Sequence, residues 1–228
     1  MFIEFNGIPG CGKSTICKKL IACLDESGEN VLFLQDRIAK LAGQKATLPF
    51  LIFIEGLHGA GAIVVAYLKL YKSIPYRHRE TLIRTFAALK NAVLAYRMCR
   101  KNKDVVIISD QCIVQNILSC FYDCPIQNGA VIEELLNTIS SKLGLFIAIN
   151  VEIDVETASS RIQDRNTVGG RLDLLRGNHL TETLSRQSTI LKQIRTLNRG
   201  IAITIDSSES PDDNAKLLFD YIKGVKTI

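Results

Sequence analysis

Nine residues close to the start of the chain combine glycines, a lysine and hydroxyl side chains at a fixed spacing. Residues 7–15 read Gly-Ile-Pro-Gly-Cys-Gly-Lys-Ser-Thr and match the pattern G-x-x-x-x-G-K-[ST]. Glycines let backbone N–H groups turn inward around a phosphate, Lys13 can reach the β- and γ-phosphates, and the Ser14 hydroxyl can ligate Mg²⁺. We therefore predict that nucleotide phosphates are bound by Gly7, Pro9, Gly10, Cys11, Gly12, Lys13, Ser14 and Thr15.

The segments on either side of this loop supply the context that the pattern requires. Residues 2–5, Phe-Ile-Glu-Phe, are predicted to form a short strand that enters the loop. After the loop, apolar residues recur at helical spacing, at Ile16, Leu20, Cys23 and Leu24. A helix that begins near Lys13 points its positive end at the bound anion, so strand, loop and helix together indicate a nucleotide site.

A carboxylate ends a second apolar segment. Residues 105–109, Val-Val-Ile-Ile-Ser, are predicted to form a buried strand, and Asp110 follows directly. This is the expected position of a Walker B carboxylate, which holds Mg²⁺ directly or through water. Asp is also a favourable N-cap for the segment that follows. The sequence leaves both roles open.

Arginines cluster later in the chain. Arg161 and Arg165 lie four positions apart in a predicted helix over residues 154–165, so they are expected to share one face. A polar, glycine-ended loop follows at residues 166–170, and then Arg171. Cations on a mobile loop neutralise charge during phosphoryl transfer and exclude water on closure, which predicts a lid over residues 161–180. A solvated basic helix end is the alternative.

Further apolar segments predict the rest of the architecture. Strands are predicted at residues 31–34, 145–150 and 201–206, and helices at residues 48–70 and 76–101. Continuous apolar strands that alternate with helices predict one α/β domain, 1–228, with a parallel sheet covered by helices on both faces. Ligands of such sheets bind at the carboxyl ends of the strands, where the polar residues of this chain are concentrated.

Composition excludes several classes of protein. The chain has 228 residues, 47% of them hydrophobic, so it is not disordered. Its net charge of +5 is mild and comes without a long basic run, and we expect no nucleic-acid partner. The seven cysteines form no C-x-x-C pair and residues 1–4 lack a basic signal segment, so we expect free thiols and a cytoplasmic location. Residues 48–68 are strongly apolar, but Glu55 would be costly in lipid, and we expect no stable membrane insertion.

Taken in order, these segments resemble a known family. The family is the thymidylate kinase-like branch of the P-loop nucleoside and nucleotide kinases. The matching residues are Phe-Ile-x-Phe-x-Gly-x-x-Gly-x-Gly-Lys-Ser-Thr from Phe2, Val-Val-Ile-Ile-x-Asp up to Asp110, the Arg-x-x-x-Arg pair, and Ile-Asp-Ser-Ser-Glu-Ser-Pro at residues 205–211. The resemblance implies a P-loop kinase-type three-layer sandwich, with a five-stranded parallel sheet of order 2-3-1-4-5 flanked by helices and an Arg-bearing lid. It also implies that ATP and Mg²⁺ are cofactors and that a helical region over residues 37–101 binds a small-molecule acceptor. A homodimer is possible in this family.

Carried over residue by residue, the resemblance implies roles for particular side chains. The implied catalytic residues are Lys13, Asp110, Arg161, Arg165 and Arg171. Ser14 and Asp110 would hold Mg²⁺, and Ser208 would lie beside the adenine. Acceptor binding would fall to Asp36, Arg37, Arg84 and Gln111. Plain surface salt bridges are the alternative for Asp36, Arg37 and Arg84.

Three positions depart from the family pattern, all on the acceptor side. Asp110 is followed by Gln111 and Cys112 where the family commonly has Asp-Arg-Tyr, Asn6 stands where it often has Glu, and Gln35-Asp36-Arg37 replaces an Arg-Glu-Pro-Gly-Gly-type segment. We therefore expect ATP- and Mg²⁺-dependent phosphoryl transfer to a nucleotide, nucleoside or other small acceptor. The alternatives are an NTPase or switch that works through partners, and a nucleotide-binding protein that has lost transfer.

Overall fold

The architecture is a parallel sheet with helices packed around it. The computed structural model describes residues 1–42, 55, 59–75, 78–122, 124–165 and 171–226, and at 40–42, 171 and 173 the backbone alone. The strands are β1 Phe2–Asn6, β2 Val31–Phe33, β3 Val106–Ser109, β4 Phe146–Glu152 and β5 Ile201–Asp206. They form one five-stranded parallel sheet in the order β2-β3-β1-β4-β5. The expected strand order is therefore confirmed.

Helices connect the strands and cover the sheet. They are α1 Lys13–Glu26, α2 Leu34–Ala42, α3 Gly61–Ser73, α4 Arg79–Lys101, α5 Ile113–Cys120, α6 Gly129–Leu143, α7 Val155–Gln163, α8 Asn178–Leu197 and α9 Pro211–Lys226, with a 3₁₀ turn at Arg171–Leu174. Helices α1 and α9 pack against each other, while α3 packs on α6, α4 on α5, and α5 on α8. These two groups of helices bury the apolar faces that a parallel sheet must cover.

Burial is uneven across the sheet. Every residue of β1 and β3 is buried, which accounts for their nearly unbroken apolar sequences. Strand β5 is different, because Ile201 is 38% exposed and only Ile205 of that strand is buried. Strand β5 is at the edge of the sheet and pairs with β4 alone, so it is more open to solvent than the inner strands.

Two segment boundaries differ from the sequence prediction. The predicted strand over residues 31–34 ends at Phe33, and α2 begins at Leu34, so Asp36 and Arg37 lie in the first turns of a helix. The predicted helix over residues 48–70 is observed from Gly61 to Ser73, while residues 48–54 and 56–58 lie outside the described part of the chain. No helix in the described segments is both long enough and apolar enough to cross a bilayer.

Candidate active site

The phosphate loop between β1 and α1 requires glycine at defined positions. Gly10 and Gly12 both have φ of +85°, in the left-handed region that favours glycine. A Cβ on Gly10 would lie 2.4 Å from the Ala158 carbonyl oxygen of α7. A Cβ on Gly7 would lie 2.5 Å from Cys11 Sγ. The loop is therefore tightly curled and pressed against α7, and a side chain at either position must displace a neighbour.

The Lys13 side chain folds back and contacts the first residues of this loop. This side chain is buried, and Nζ donates hydrogen bonds to the carbonyl oxygens of Gly7 at 2.8 Å and Ile8 at 3.0 Å. Helix α1 begins at this residue, and no side chain caps its N-terminus. Uncapped N–H groups, the positive end of the helix dipole and the Lys13 ammonium thus converge on one small volume, which suits an anion.

A hydroxyl and a carboxylate meet beside the loop. Ser14 Oγ donates a hydrogen bond of 2.7 Å to Asp110 Oδ2. Asp110 follows β3, which pairs directly with β1, so the sheet order brings the two residues together across 96 positions of sequence. The N-cap position of the next helix, α5, is Cys112 and not Asp110. Asp110 is thus free of the capping role that the sequence had left open.

Glu4 supplies the cap of α5, and sequence reasoning assigned it no role. Its carboxylate is fully buried in β1 and accepts hydrogen bonds from the backbone N–H groups of Cys112, Val114 and Gln115, each at 3.2 Å. Burial raises the pKa of Glu4 to about 7, and the backbone N–H donors of α5 act in the opposite direction. Gln115 Oε1 in turn accepts the Gly7 N–H at 3.3 Å, so Glu4 and α5 together brace the phosphate loop. An acidic residue inside an otherwise apolar strand was the signal that could have identified it.

The two arginines predicted to belong to a lid, Arg161 and Arg165, have different neighbours. Arg161 lies within α7 and donates to Ser207, from Nη2 to the carbonyl oxygen at 3.2 Å and from Nη1 to Oγ at 3.5 Å. The same Nη1 lies 3.7 Å from the position of a Cβ on Gly12. Arg161 therefore joins the loop after β5 to the phosphate loop. Ser208, predicted to lie beside the adenine, is exposed and donates its N–H to Asp206 Oδ1 at 2.8 Å.

The predicted helix over residues 154–165 is observed as Val155–Gln163, so Arg165 lies two residues beyond its end and the two arginines do not share a helical face. The Arg165 side chain is exposed and lines a cavity of about 330 Å³ together with the phosphate loop. The backbone of Arg171 opens the 3₁₀ turn, while its side chain and residues 166–170 lie outside the described part of the chain.

One wall of this cavity is rich in carboxamides. The phosphate loop contributes residues 9, 10 and 12–15, including Lys13 and Ser14. Apart from the phosphate loop and Arg165, the cavity is lined by Gln111, Gln115, Asn116, Leu118, Ser119, Tyr122, Leu172 and Gln187. Of these residues, the sequence predicted Gln111 alone. The others come from α5, from Tyr122 two residues after it, from the 3₁₀ turn and from α8. No local sequence pattern reveals that α5 and α8 pack on each other.

The other predicted acceptor residues lie away from this cavity. Asp36 and Arg37 are exposed on α2 and do not line it. Arg84 forms an ion pair with Glu80 at 2.8 Å and lies over the ring of Tyr122, with 5.2 Å between the guanidinium carbon and the ring centroid. Arg84 thus approaches the cavity through Tyr122, whose side chain lines it.

Gln35 is a neighbour of Asp36 that sequence reasoning did not single out. Its Nε2 donates to Ser109 Oγ at 2.7 Å and to the Gln111 carbonyl oxygen at 3.0 Å. Its Oε1 is buried and has no hydrogen-bond partner among the described residues. Gln35 therefore ties the start of α2 to the turn that carries Asp110 and Gln111.

A larger cavity of about 560 Å³ lies at the ends of β4 and β5, beside Ile8. Its walls include Asp206, Ser208 and Arg195 of α8, but neither the glycines of the phosphate loop nor Lys13. Arg195 donates to Asn6 Oδ1 at 2.9 Å and pairs with Glu152 at 2.9 Å. Burial lowers the pKa of the Arg195 guanidinium, and Glu152 opposes that effect. Asn6, which departs from the family pattern, is thus a structural partner of Arg195.

Comparison with known proteins finds similarity among solved structures. No protein-family model matches the chain, and no curated protein matches it in sequence. Among solved structures, the chain is similar to the shikimate kinase from Acinetobacter baumannii in complex with shikimate, at 16% identity and a TM-score of 0.48, over 99% of this chain and 94% of that one. The strand order, the glycine-rich loop between β1 and α1, and the flanking helices show by themselves that the chain has a P-loop kinase-type fold.

Proposed function

We propose that this protein is an ATP- and Mg²⁺-dependent kinase that transfers the γ-phosphoryl group of ATP to a small-molecule acceptor. The observation that carries the proposal is the Ser14–Asp110 pair, 2.7 Å apart, beside Lys13 and in front of a cavity that extends beyond the phosphate loop. A site that only holds a nucleotide does not need cavity space beyond the phosphate loop. Its volume of about 330 Å³ suits a small acceptor.

Each basic group has a separate task in this proposal. Lys13 exchanges its bonds to the Gly7 and Ile8 carbonyls for the oxygens of the β- and γ-phosphates. Arg165, which lines the same cavity, stabilises charge on the phosphoryl group during transfer. Arg161 and Ser207 form the contact surface for the nucleoside end of ATP, since both adjoin Gly12. Catalysis then consists of positioning and charge stabilisation.

The residues present fit a magnesium ion. Mg²⁺ prefers oxygen ligands and is typically held by one or two protein groups plus phosphates and water. Ser14 Oγ and Asp110 Oδ2 are two such oxygens at the edge of the phosphate loop. When bound, the ion supplies neutralisation of the charge on the phosphate oxygens. Asp110 is also the carboxylate best placed to orient the hydroxyl of the acceptor, because Gln111 beside it lines the cavity.

Two finer assignments belong to the same proposal. Membership of the thymidylate kinase-like branch is supported by the order of the segments around Gly7, Asp110 and Arg161. A lid at 161–180 is supported by Arg165, which lines the cavity, while the single domain over 1–228 and the acceptor region at 37–101 stay predictions. The acceptor roles of Asp36, Arg37 and Arg84 and the lid role of Arg171 stay predictions.

The test is ADP formation with and without acceptors. We expect ADP release to rise several-fold when the correct acceptor is added to protein and Mg²⁺-ATP. Lys13→Ala is expected to abolish this rise, while Lys18→Ala, which alters an exposed lysine on the same helix, leaves it intact. ATP hydrolysis that no acceptor stimulates, in a screen of nucleosides, nucleotides, sugars and alcohols, would instead identify the alternative, an NTPase or nucleotide-binding regulator.

A further inference from the structure

We propose that Gln35 is a positioning residue for phosphoryl transfer, because it fixes the turn from which the Asp110 carboxylate meets Ser14. The inference rests on the proposed function and deepens it by naming a residue that sets how well the site takes up Mg²⁺. Gln35 is not among the described residues that line the 330 Å³ cavity. It therefore acts through Asp110 and not through contact with ATP or the acceptor.

The backbone around Asp110 belongs to no regular element. Strand β3 ends at Ser109 and helix α5 begins at Ile113, so Asp110 is the first residue of a three-residue connection. The regular hydrogen bonds of a strand or a helix therefore do not hold this connection in place. The direction in which the Asp110 carboxylate points depends on the side chains that contact the connection.

Gln35 contacts the chain on both sides of Asp110. Its Nε2 donates to Ser109 Oγ at 2.7 Å and to the Gln111 carbonyl oxygen at 3.0 Å. The Gln111 N–H donates to the same Ser109 Oγ at 3.3 Å. One carboxamide thus links the residue before Asp110 to the residue after it, which restricts rotation of the Asp110 backbone.

The partners of Gln35 also define the orientation of its carboxamide. The Gln111 carbonyl oxygen can only accept a hydrogen bond, so Nε2 of Gln35 faces it and Oε1 faces away. Oε1 is buried and has no hydrogen-bond partner among the described residues. A buried acceptor without a donor costs stability, which offsets part of what the two Nε2 hydrogen bonds contribute. The net effect of Gln35 on folding is therefore expected to be small, and its main effect falls on the turn around Asp110.

The order of the strands places Asp110 between two contacts. Strand β3 lies between β2 and β1 in the sheet. Gln35 reaches the turn from the β2 side, and Ser14 Oγ donates to Asp110 Oδ2 at 2.7 Å from the β1 side. Without Gln35 the carboxylate is free to turn away from Ser14, which separates the two oxygens proposed to hold Mg²⁺. Groups that orient a metal ligand typically contribute 10–100-fold to metal affinity or activity.

The first experiment measures the metal site without any transfer. A non-hydrolysable ATP analogue is titrated calorimetrically into the full chain, once with Mg²⁺ and once with a chelator. Gln35→Met keeps the length of the side chain and removes both donors. We expect this variant to lose about tenfold of the affinity measured with Mg²⁺ and none of the affinity measured with the chelator. Gln193→Met, which alters an exposed glutamine of α8, is the matched control and should change neither affinity.

A second variant removes the same contact from the other side. Ser109→Ala deletes the oxygen that accepts from Gln35, and it carries the test should Gln35→Met fail to fold. Because both changes act through one contact, the double variant should lose little more Mg²⁺-dependent affinity than either single variant. An affinity with Mg²⁺ equal to that of Gln193→Met overturns the inference. Equal losses with Mg²⁺ and with the chelator also overturn it, because they show general damage to the phosphate loop.

Failure of this inference and failure of the proposed function give different results. In a kinase, Gln35→Met should lower kcat about tenfold and leave the KM for the acceptor unchanged, since Gln35 does not line the cavity. Loss of Mg²⁺-dependent affinity in a protein that no acceptor stimulates supports the inference and contradicts the kinase. Transfer to an acceptor, with a wild-type Mg²⁺ dependence in Gln35→Met, supports the kinase and contradicts the inference.

Discussion

The contact between the phosphate loop and α7 makes a quantitative prediction about Gly10. Gly10 and Gly28 both have positive φ, +85° and +80°, so alanine at either position meets the same backbone penalty of about 1–2 kcal/mol. The two positions differ in how much room there is for a Cβ atom. A Cβ on Gly28 meets nothing within 4 Å, whereas a Cβ on Gly10 would lie 2.4 Å from the Ala158 carbonyl oxygen. That oxygen belongs to backbone and cannot rotate away, so α7 must shift.

We therefore expect Gly28→Ala to lower the free energy of unfolding by about 1–2 kcal/mol and Gly10→Ala by about 2–5 kcal/mol, because overpacking adds about 1–3 kcal/mol. Urea unfolding of the two variants measures the difference directly. The displaced helix carries Arg161, so Gly10→Ala should also weaken binding of an ATP analogue while Gly28→Ala should not. Equal losses of stability in the two variants would refute the close approach of α7 to the loop.

Three further predictions concern metal binding, transition-state charge and pH. Asp110→Asn should reduce activity strongly and shift its Mg²⁺ dependence to higher concentration, with Mg²⁺-free nucleotide binding nearly unchanged; an unchanged Mg²⁺ titration would remove Asp110 from the metal site. Arg165→Ala should lower kcat much more than it raises the KM for ATP, and the double change with Arg161→Ala should lower kcat further; wild-type kcat in the double variant would contradict the lid assignment. Burial raises the pKa of Glu4 from 4.5 to about 7, so between these pH values the folded chain holds a proton that the unfolded chain releases. The free energy of unfolding of the wild type should therefore fall by about 3 kcal/mol relative to that of Glu4→Gln as the pH rises from 4.5 to 7. If the free energy of unfolding of the wild type instead increases relative to that of Glu4→Gln as the pH rises, the α5 N–H groups outweigh burial in setting the pKa of Glu4.

Local sequence patterns predicted the strand, loop and helix around Gly7 to Thr15, for a physical reason. The phosphate loop is a continuous segment, and its glycines are dictated by backbone geometry within that segment and by the approach of α7. Asp110 was found because it follows a buried strand directly, and parallel pairing of β1 with β3 then places it beside Ser14. Both inferences need the strand order but no knowledge of how the helices pack.

The remaining walls of the cavity could not be predicted in the same way. Gln187 and Asn116 face one cavity only because α8 packs on α5, a contact between segments about seventy residues apart for which no motif exists. Asp36 follows the predicted strand over residues 31–34 by two positions, yet the chain turns into α2 at Leu34 and Asp36 is exposed to solvent. Arg195 reaches Asn6 across 189 positions, which only the folded chain reveals.

The measurement that tests the central claim most directly follows the phosphate itself. Purified protein is incubated with Mg²⁺ and ATP labelled in the γ-phosphate, with each acceptor of the screen in turn, and the products are separated and counted. The account predicts label on an acceptor for the wild type, none for Lys13→Ala, and none when Mg²⁺ is removed. Label found only as inorganic phosphate with every acceptor, at a rate that no acceptor changes, would contradict the account.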